Sequence, residues 1–134
     1  MMDFTSFERH ELIVLVKALR YVKFRSIDYD ASELAGSPFI GSMYASATED
    51  LWARARQYNP NGESNSFLWP DIQEDVENMT AIKAHILHVE NWLELAEDVK
   101  RLYILDLIYP FNYNEQTVLE LLEFGNESYN VNSR

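Results

Sequence analysis

The sequence predicts an all-α fold: a single-domain bundle of about five helices around a central apolar helix at about 91–109. Three observations support this prediction. Apolar residues recur at helical spacing in most segments, capping signals stand in front of those segments, and no stretch alternates between apolar and polar residues as a half-buried strand does. The chain of 134 residues fits one domain, and a domain of this size can bury about two thirds of its unfolded surface.

The central helix is predicted from residues 92–110, which read WLELAEDVKRLYILDLIYP. At 100° per residue the apolar side chains of this segment form two faces. One face consists of Trp92, Leu95, Val99, Leu102 and Tyr103, and the other of Leu93, Ala96, Ile104, Leu107 and Ile108. A helix that is apolar on most sides needs neighbours on at least two flanks. Pro110 is expected to end it, because proline cannot donate the next backbone hydrogen bond.

The first helix is expected to start after Thr5, which forms a capping box with Glu8, and to run to about Phe24. The apolar residues that share its inner face are Leu12, Leu15, Ala18, Leu19 and Val22. The opposite face is basic and carries Arg9, Lys17, Arg20 and Lys23. This basic face is the best candidate for contacting an anion. The alternative is that it is solvated or faces the acidic half of the same protein.

A connector with one helical turn at 31–34 is predicted over 26–41, where Ser, Asp and Gly cluster. Ser37 followed by Pro38 has the pattern of an N-cap and a proline at the first helical position. A second long helix is therefore expected from Pro38 to about Tyr58, with a fresh start at Ser46, which forms another capping pair with Glu49, as the alternative.

A long loop is predicted at 59–70, which begins with the turn sequence NPNG. It is polar except for the adjacent residues Phe67, Leu68 and Trp69. Such side chains either return to the core, the commoner outcome in monomers, or wait for a partner. Phe67 and Trp69 are therefore candidate anchors for a partner.

The third helix is our first choice for a binding surface, and it is expected to start with Pro70 at its first position. Three carboxylates and one amide follow at i, i+3, i+4 and i+7, namely those of Asp71, Glu74, Asp75 and Asn78. They are expected to form an acidic stripe on one helix face that contains no positive charge of its own. Like charges at this spacing cost about a few tenths of a kcal/mol per pair, and a cationic partner would offset that cost. The predicted partner-binding residues are Asp71, Glu74, Asp75, Glu77, Asn78, Phe67 and Trp69.

A last helix is expected after Pro110, with Asn114 as its N-cap. Gly125 has the position of a C-terminal stop, because glycine readily ends a helix. The domain is therefore predicted to span 1–125, and residues 126–134 are predicted to be a frayed polar tail.

The charge distribution favours a basic protein as the partner. The net charge is -11, of which residues 1–60 contribute -1 and residues 61–134 contribute -10. Such a surface repels nucleic-acid phosphate and attracts basic proteins, although acidic surfaces also serve solubility alone. Direct binding of nucleic acid is disfavoured, and no segment has the length and composition of a membrane span.

Catalytic and metal-binding chemistry is not indicated by any complete motif. The chain has no cysteine and no glycine-rich phosphate loop, so neither an enzyme nor a cofactor is predicted. His85 and His88 are a partial metal constellation, and we interpret them as a surface or core-edge pair. Asp106 is interpreted as a buried polar tie to another helix rather than as a general base.

These observations lead to one main functional hypothesis and three alternatives. A small acidic helical protein resembles, in general character, toxin-immunity proteins, which implies an inhibitor that neutralises a basic, nuclease-type toxin by covering its surface. The alternatives are a structural or adaptor subunit of an oligomer, a phage-type nuclease inhibitor or nucleic-acid mimic, and a metal-binding bundle or enzyme. A cytoplasmic location is expected because the apolar run at 12–16 is too short for a signal peptide. The oligomeric state is left open.

Overall fold

The computed structural model describes residues 3–58 and 68–132 of the chain. This part is an all-α bundle without strands, so the predicted fold class is confirmed. Its α-helices are α1 (Arg9–Phe24), α2 (Tyr29–Ala35), α3 (Pro38–Tyr58), α4 (Val76–Ile86), α5 (Glu97–Ile108) and α6 (Glu115–Asn132). Two short 3-10 helices, Ile72–Glu74 and Trp92–Glu94, precede α4 and α5. None of the described helices has both the length and the apolar character needed to cross a bilayer.

α1 begins later than the capping pair of Thr5 and Glu8 predicts. The backbone N–H of Glu8 donates to the Glu11 carboxylate at 2.8 Å, so Glu8 is the N-cap instead. The preceding residues form a turn because the ring of Phe4 is buried and meets the Phe7 ring edge to face at 5.5 Å. Arg54 of α3 donates to the carbonyl oxygens of both phenylalanines, which holds this turn against the bundle.

The connector predicted at 26–41 contains a complete short helix, α2, rather than a single turn. α3 starts at Pro38 and ends at Tyr58, as predicted. It is continuous and lies mainly along α1. The local proline signal was sufficient here because Pro38 occupies a position where its missing N–H has no helical partner to lose.

The predicted central helix at 91–109 is shorter than expected. Its first part is the 3-10 helix Trp92–Glu94, and α5 starts only at Glu97. The interruption occurs because Leu95 and Ala96 adopt extended backbone conformations, with ψ angles of 144° and 152°. α5 ends just before Pro110, as predicted.

The main core surrounds Trp92, which is fully buried. Its indole Nε1 donates to Asn126 Oδ1 at 3.0 Å, and the Tyr129 ring stacks on it with a centroid distance of 6.2 Å. Other buried apolar residues of this core include Leu19, Phe24, Ile72, Ile82, Ile86, Ile104, Leu107, Ile108, Val118 and Leu121. Ala35 of α2 and Tyr44 of α3 are buried in the same cluster, so all six α-helices and the two 3-10 helices contribute to the core.

α6 starts after Asn114, whose side chain accepts from the backbone N–H of Thr117 at 3.0 Å, as the predicted N-cap requires. The predicted stop at Gly125 is wrong, because α6 continues to Asn132. Gly125 is buried beneath Trp92, where a Cβ atom would lie 2.6 Å from the indole ring. The glycine therefore permits close packing of a helix against a ring. Most of the predicted polar tail at 126–134 is the last part of α6.

Candidate protein-binding site

The predicted acidic stripe does not exist as a helical stripe, because α4 starts at Val76 and not at Pro70. Asp71 caps the first 3-10 helix, where its carboxylate accepts from the backbone N–H of Gln73 at 2.9 Å. Asp75 caps α4, where it accepts from the backbone N–H of Asn78 at 3.1 Å. These two carboxylates start two different helices, so the helical spacing on which the prediction depended is absent.

Arg25 supplies a cation to this region from the chain itself. Its guanidinium lies 3.0 Å from the Glu77 carboxylate and 3.8 Å from that of Asp75, and it donates to Asn78 Oδ1 at 2.6 Å. Asn78 is only 3% exposed. The expectation that the stripe lacks an internal partner is therefore wrong for Asp75 and Asn78. Sequence reasoning missed Arg25 because it lies more than forty residues away in the chain.

A cleft of about 200 Å³ opens between the end of α1 and the start of α4. We call it the acidic cleft; the residues that line it are Phe24, Arg25, Ile27, Val76, Glu77, Thr80 and Ala81. Ile27 is 57% exposed and Val76 is 78% exposed, which is unusual for aliphatic side chains so close together. Glu74 is exposed at the end of the adjoining 3-10 helix and forms no ion pair with the described residues. The cleft thus combines an apolar surface with the ion pair of Glu77 and Arg25, and the exposed Glu74 lies two residues before Val76 in the chain.

Trp69 does not form an exposed anchor beside this cleft. Its ring packs between those of Tyr44 and Phe111, with centroid distances of 5.5 and 5.4 Å. Its backbone carbonyl accepts from Asn112 Nδ2 at 2.6 Å. Trp69 therefore follows the alternative in which the loop aromatics return to the core. Phe67 lies outside the described residues.

The basic face predicted for the first helix loses one member. Arg9, Lys17 and Arg20 are exposed, but Lys23 is fully buried. Its Nζ donates to the carbonyl oxygens of Ala35 and Asp106, each at 3.0 Å. Both carbonyls lie in the last turns of their helices, so the ammonium group caps α2 and α5 together. Burial lowers the pKa of Lys23 to about 8.

Asp106 lies on the outer side of α5 and is half-buried. Desolvation raises the pKa of its carboxyl group, and the nearby charge of Lys23 opposes that shift. The polar tie predicted at this residue is made by its backbone carbonyl, which accepts from Lys23, rather than by its carboxylate. Helical periodicity could place Asp106 on a helix face, but it could not show whether the carboxylate or the backbone carbonyl of this residue accepts the hydrogen bond.

His85 and His88 belong to a buried polar cluster with Ser32 of α2. The Ser32 hydroxyl lies 2.6 Å from His85 Nδ1 and 2.7 Å from His88 Nδ1. His85 Nε2 lies 3.1 Å from the backbone carbonyl of Lys23, which can only accept, so this nitrogen carries a proton. Burial lowers the pKa of His85, which keeps the ring neutral and leaves Nδ1 to accept from Ser32. His88 then donates to the hydroxyl oxygen.

This cluster joins α1, α2 and α4 and has no metal-binding geometry. Within the described ranges, no three His, Asp or Glu side chains converge as metal ligands would. The Nδ1 atoms of both histidines instead form hydrogen bonds with the same hydroxyl group, that of Ser32. Sequence spacing alone could not reveal Ser32 as the third member, because it lies 53 residues from His85.

Replacing Ser32 with Ala is expected to lower the free energy of unfolding by about 1.5 kcal/mol. The substitution leaves His85 Nδ1 buried without a hydrogen-bond donor. Urea unfolding followed by circular dichroism would measure the effect. Ser42→Ala on the exposed side of α3 is the control and should change stability by less than about 0.5 kcal/mol. If the two variants have the same urea midpoint of unfolding, the Ser32 hydroxyl does not stabilise the protein through the histidines.

Comparisons with protein-family models, with curated proteins and with solved structures found no match to this chain.

Proposed function

We propose that this chain is an acidic helical binding module that covers and inhibits a basic protein in the cytoplasm, as an immunity protein does with a nuclease-type toxin. The observation that carries the proposal is the acidic cleft, which exposed Ile27 and Val76 line together with Glu77, while exposed Glu74 lies two residues before Val76 in the chain. A lysine or arginine side chain has an apolar stem and a cationic head, and therefore suits a surface with both properties. The aliphatic contact would anchor the partner and the carboxylates would orient it.

The charge of the C-terminal part of the chain supports rapid association with such a partner. Residues 61–134 carry a net charge of -10. Two of the cations in this part, Lys100 and Arg101, are already paired with Glu97 and Glu115. The remaining negative field would attract a basic protein and accelerate binding at low salt. It would also neutralise lysines and arginines that a nuclease uses to hold phosphate.

Arg25 determines how the individual carboxylates of the cleft would contribute. It pairs with Asp75 and Glu77, which fixes their positions but reduces their attraction for an external cation. Glu74 forms no such pair within the described residues. Glu74 and Val76 are therefore the residues that we expect to contribute most to partner binding.

The combined substitution Glu74→Lys, Glu77→Lys is expected to weaken partner binding about tenfold or more, because it replaces attraction with repulsion on either side of Val76 in the chain. Proteins retained from the native host by immobilised wild type would be identified by mass spectrometry. The basic protein so identified would then be purified, its nuclease activity assayed with and without this chain, and its affinity measured by calorimetry at two salt concentrations.

The matched control is Glu123→Lys, Glu127→Lys, which makes the same change in charge at exposed positions of α6. This control should retain the partner with an affinity within about threefold of wild type. If both double variants weaken binding equally, net charge rather than the acidic cleft is responsible. If the partner's activity is unaffected by saturating amounts of this chain, the inhibitor proposal is wrong.

A further inference from the structure

α5 has an inner apolar face and an outer apolar face. Ile104, Leu107 and Ile108 of the inner face are at most 1% exposed. The outer face carries Val99, Leu102, Asp106 and Tyr109 at i, i+3, i+7 and i+10, and its three large apolar side chains are 47%, 60% and 49% exposed. We call these four residues, together with Asp98, the outer face of α5. Nothing in residues 3–58 and 68–132 buries this face as the inner face is buried.

We propose that the outer face of α5 binds an amphipathic, cationic helix of a partner protein. This inference rests on the proposed function in one respect, since the partner is again a basic protein, but it concerns a surface separate from the acidic cleft. The apolar positions follow a line along one side of α5, from Val99 to Tyr109 at its C-cap, over about 15 Å at a rise of 1.5 Å per residue. A second helix laid along that line can place its own apolar residues against it at matching intervals.

The charges beside this stripe favour a cationic occupant. Asp98 precedes Val99, is exposed, and makes no ion pair among the described residues. Asp106 lies between Leu102 and Tyr109; the charge of Lys23 acts on its carboxyl group, but the ammonium group of Lys23 donates to two backbone carbonyls and not to that carboxylate. Lysine or arginine residues that flank an apolar stripe would meet both carboxylates. An anionic lipid surface or a nucleic acid would meet the same carboxylates with repulsion.

A second copy of this chain does not suit the outer face of α5. If two copies packed antiparallel about Leu102, Asp98 of each copy would face Asp106 of the other. If they packed in parallel, Asp98 would face its own counterpart. Either arrangement of a symmetric dimer places like charges together, and each copy brings a net charge of -11.

The test uses a fluorescently labelled leucine–lysine peptide that forms a cationic amphipathic helix of about four turns. Its affinity for wild type, Leu102→Glu and Leu119→Glu would be measured by anisotropy at physiological salt. Leu102→Glu is expected to weaken binding about tenfold, because it removes the central apolar contact. Leu119→Glu on α6 is the control, with the same charge change at a side chain that is 50% exposed, and should alter affinity less than about threefold.

The sign of the effect separates an apolar contact from attraction by net charge. Both substitutions make the protein more acidic, so a peptide held by charge alone would bind Leu102→Glu as tightly as wild type or more tightly. That result, or the absence of peptide binding to wild type, would overturn the inference. Val99→Glu provides a second variant of the same face and should weaken binding in the same direction, and circular dichroism would verify that each variant is folded.

Val76→Glu distinguishes this inference from the proposed function, because Val76 belongs to the acidic cleft. If the partner identified with wild type is weakened by Val76→Glu but the peptide is not weakened by Leu102→Glu, the proposed function stands and the inference fails. If Leu102→Glu weakens peptide binding but Val76→Glu does not weaken partner binding, the result supports the outer face of α5 and argues against the acidic cleft. Sedimentation of wild type at increasing concentration would also overturn the inference if it revealed a dimer that Leu102→Glu dissociates.

Discussion

Gly125→Ala is expected to lower the free energy of unfolding by about 3 kcal/mol. Helix propensity alone predicts the opposite sign, since alanine is favoured over glycine inside a helix by about 1 kcal/mol. The added Cβ would lie 2.6–2.8 Å from three atoms of the Trp92 indole. This ring is fully buried and bonded to Asn126, so it cannot move aside without disturbing the core. Urea unfolding followed by tryptophan fluorescence would measure the change.

Gly41→Ala is the matched control, because it also replaces a glycine inside a helix. There the added Cβ would meet the Tyr109 ring at 3.0 Å, but Tyr109 is 49% exposed and can rotate toward solvent. We expect a change of less than about 1 kcal/mol in either direction, as propensity and contact oppose each other. If Gly125→Ala is as stable as Gly41→Ala or stabilises the protein, the close packing of α6 on Trp92 does not limit position 125.

The stability of the protein is expected to rise by about 2 kcal/mol between about pH 7.5 and pH 9.5 because of Lys23. Its pKa is about 8 in the folded protein and 10.5 in its ordinary, solvated state. Between these values the unfolded chain binds more protons than the folded one, so raising the pH favours folding. Below pH 8 the ammonium is charged in both states, and the full desolvation cost of burying it opposes folding. Urea titrations across this range would measure the slope.

Lys23→Met is the variant that assigns this slope, since it keeps the volume of the side chain and removes the titrating group. Its stability should be nearly independent of pH over the same range. In wild type the rise in stability should turn into a fall above about pH 10. Burial raises the pKa of Tyr103 to about 12, so the unfolded chain loses this tyrosine proton at a lower pH than the folded protein does. A wild-type slope that persists unchanged in Lys23→Met would exclude Lys23 as its cause.

The two binding proposals assign different tasks to surfaces on different helices. The acidic cleft lies between α1 and α4, whereas the outer face of α5 follows a single helix to its C-cap residue, Tyr109. A basic protein that engaged both surfaces would gain affinity from two separate contacts without a larger interface at either one. The Val76→Glu and Leu102→Glu variants would then weaken binding independently, and their combination would show whether the two effects add.

Local sequence signals determined the fold class, the start and end of α3, the N-cap of α6 and the end of α5. Pro38, Asn114 and Pro110 act on the backbone within one or two turns, through a missing N–H or a side-chain acceptor, so their effect does not depend on which segments meet. The uneven distribution of charge was also evident from the sequence, because it is a count along the chain.

The tertiary structure decided the features that depend on contacts between distant segments. Arg25 neutralises carboxylates of α4, Lys23 is drawn into the interior by two helix C-termini, and Gly125 lies under Trp92 instead of ending a helix. It also decided that one apolar face of α5 is buried and the other is not. Helical periodicity states that a face is apolar, but whether it is covered depends on where the other helices pack, and that is a property of the whole chain.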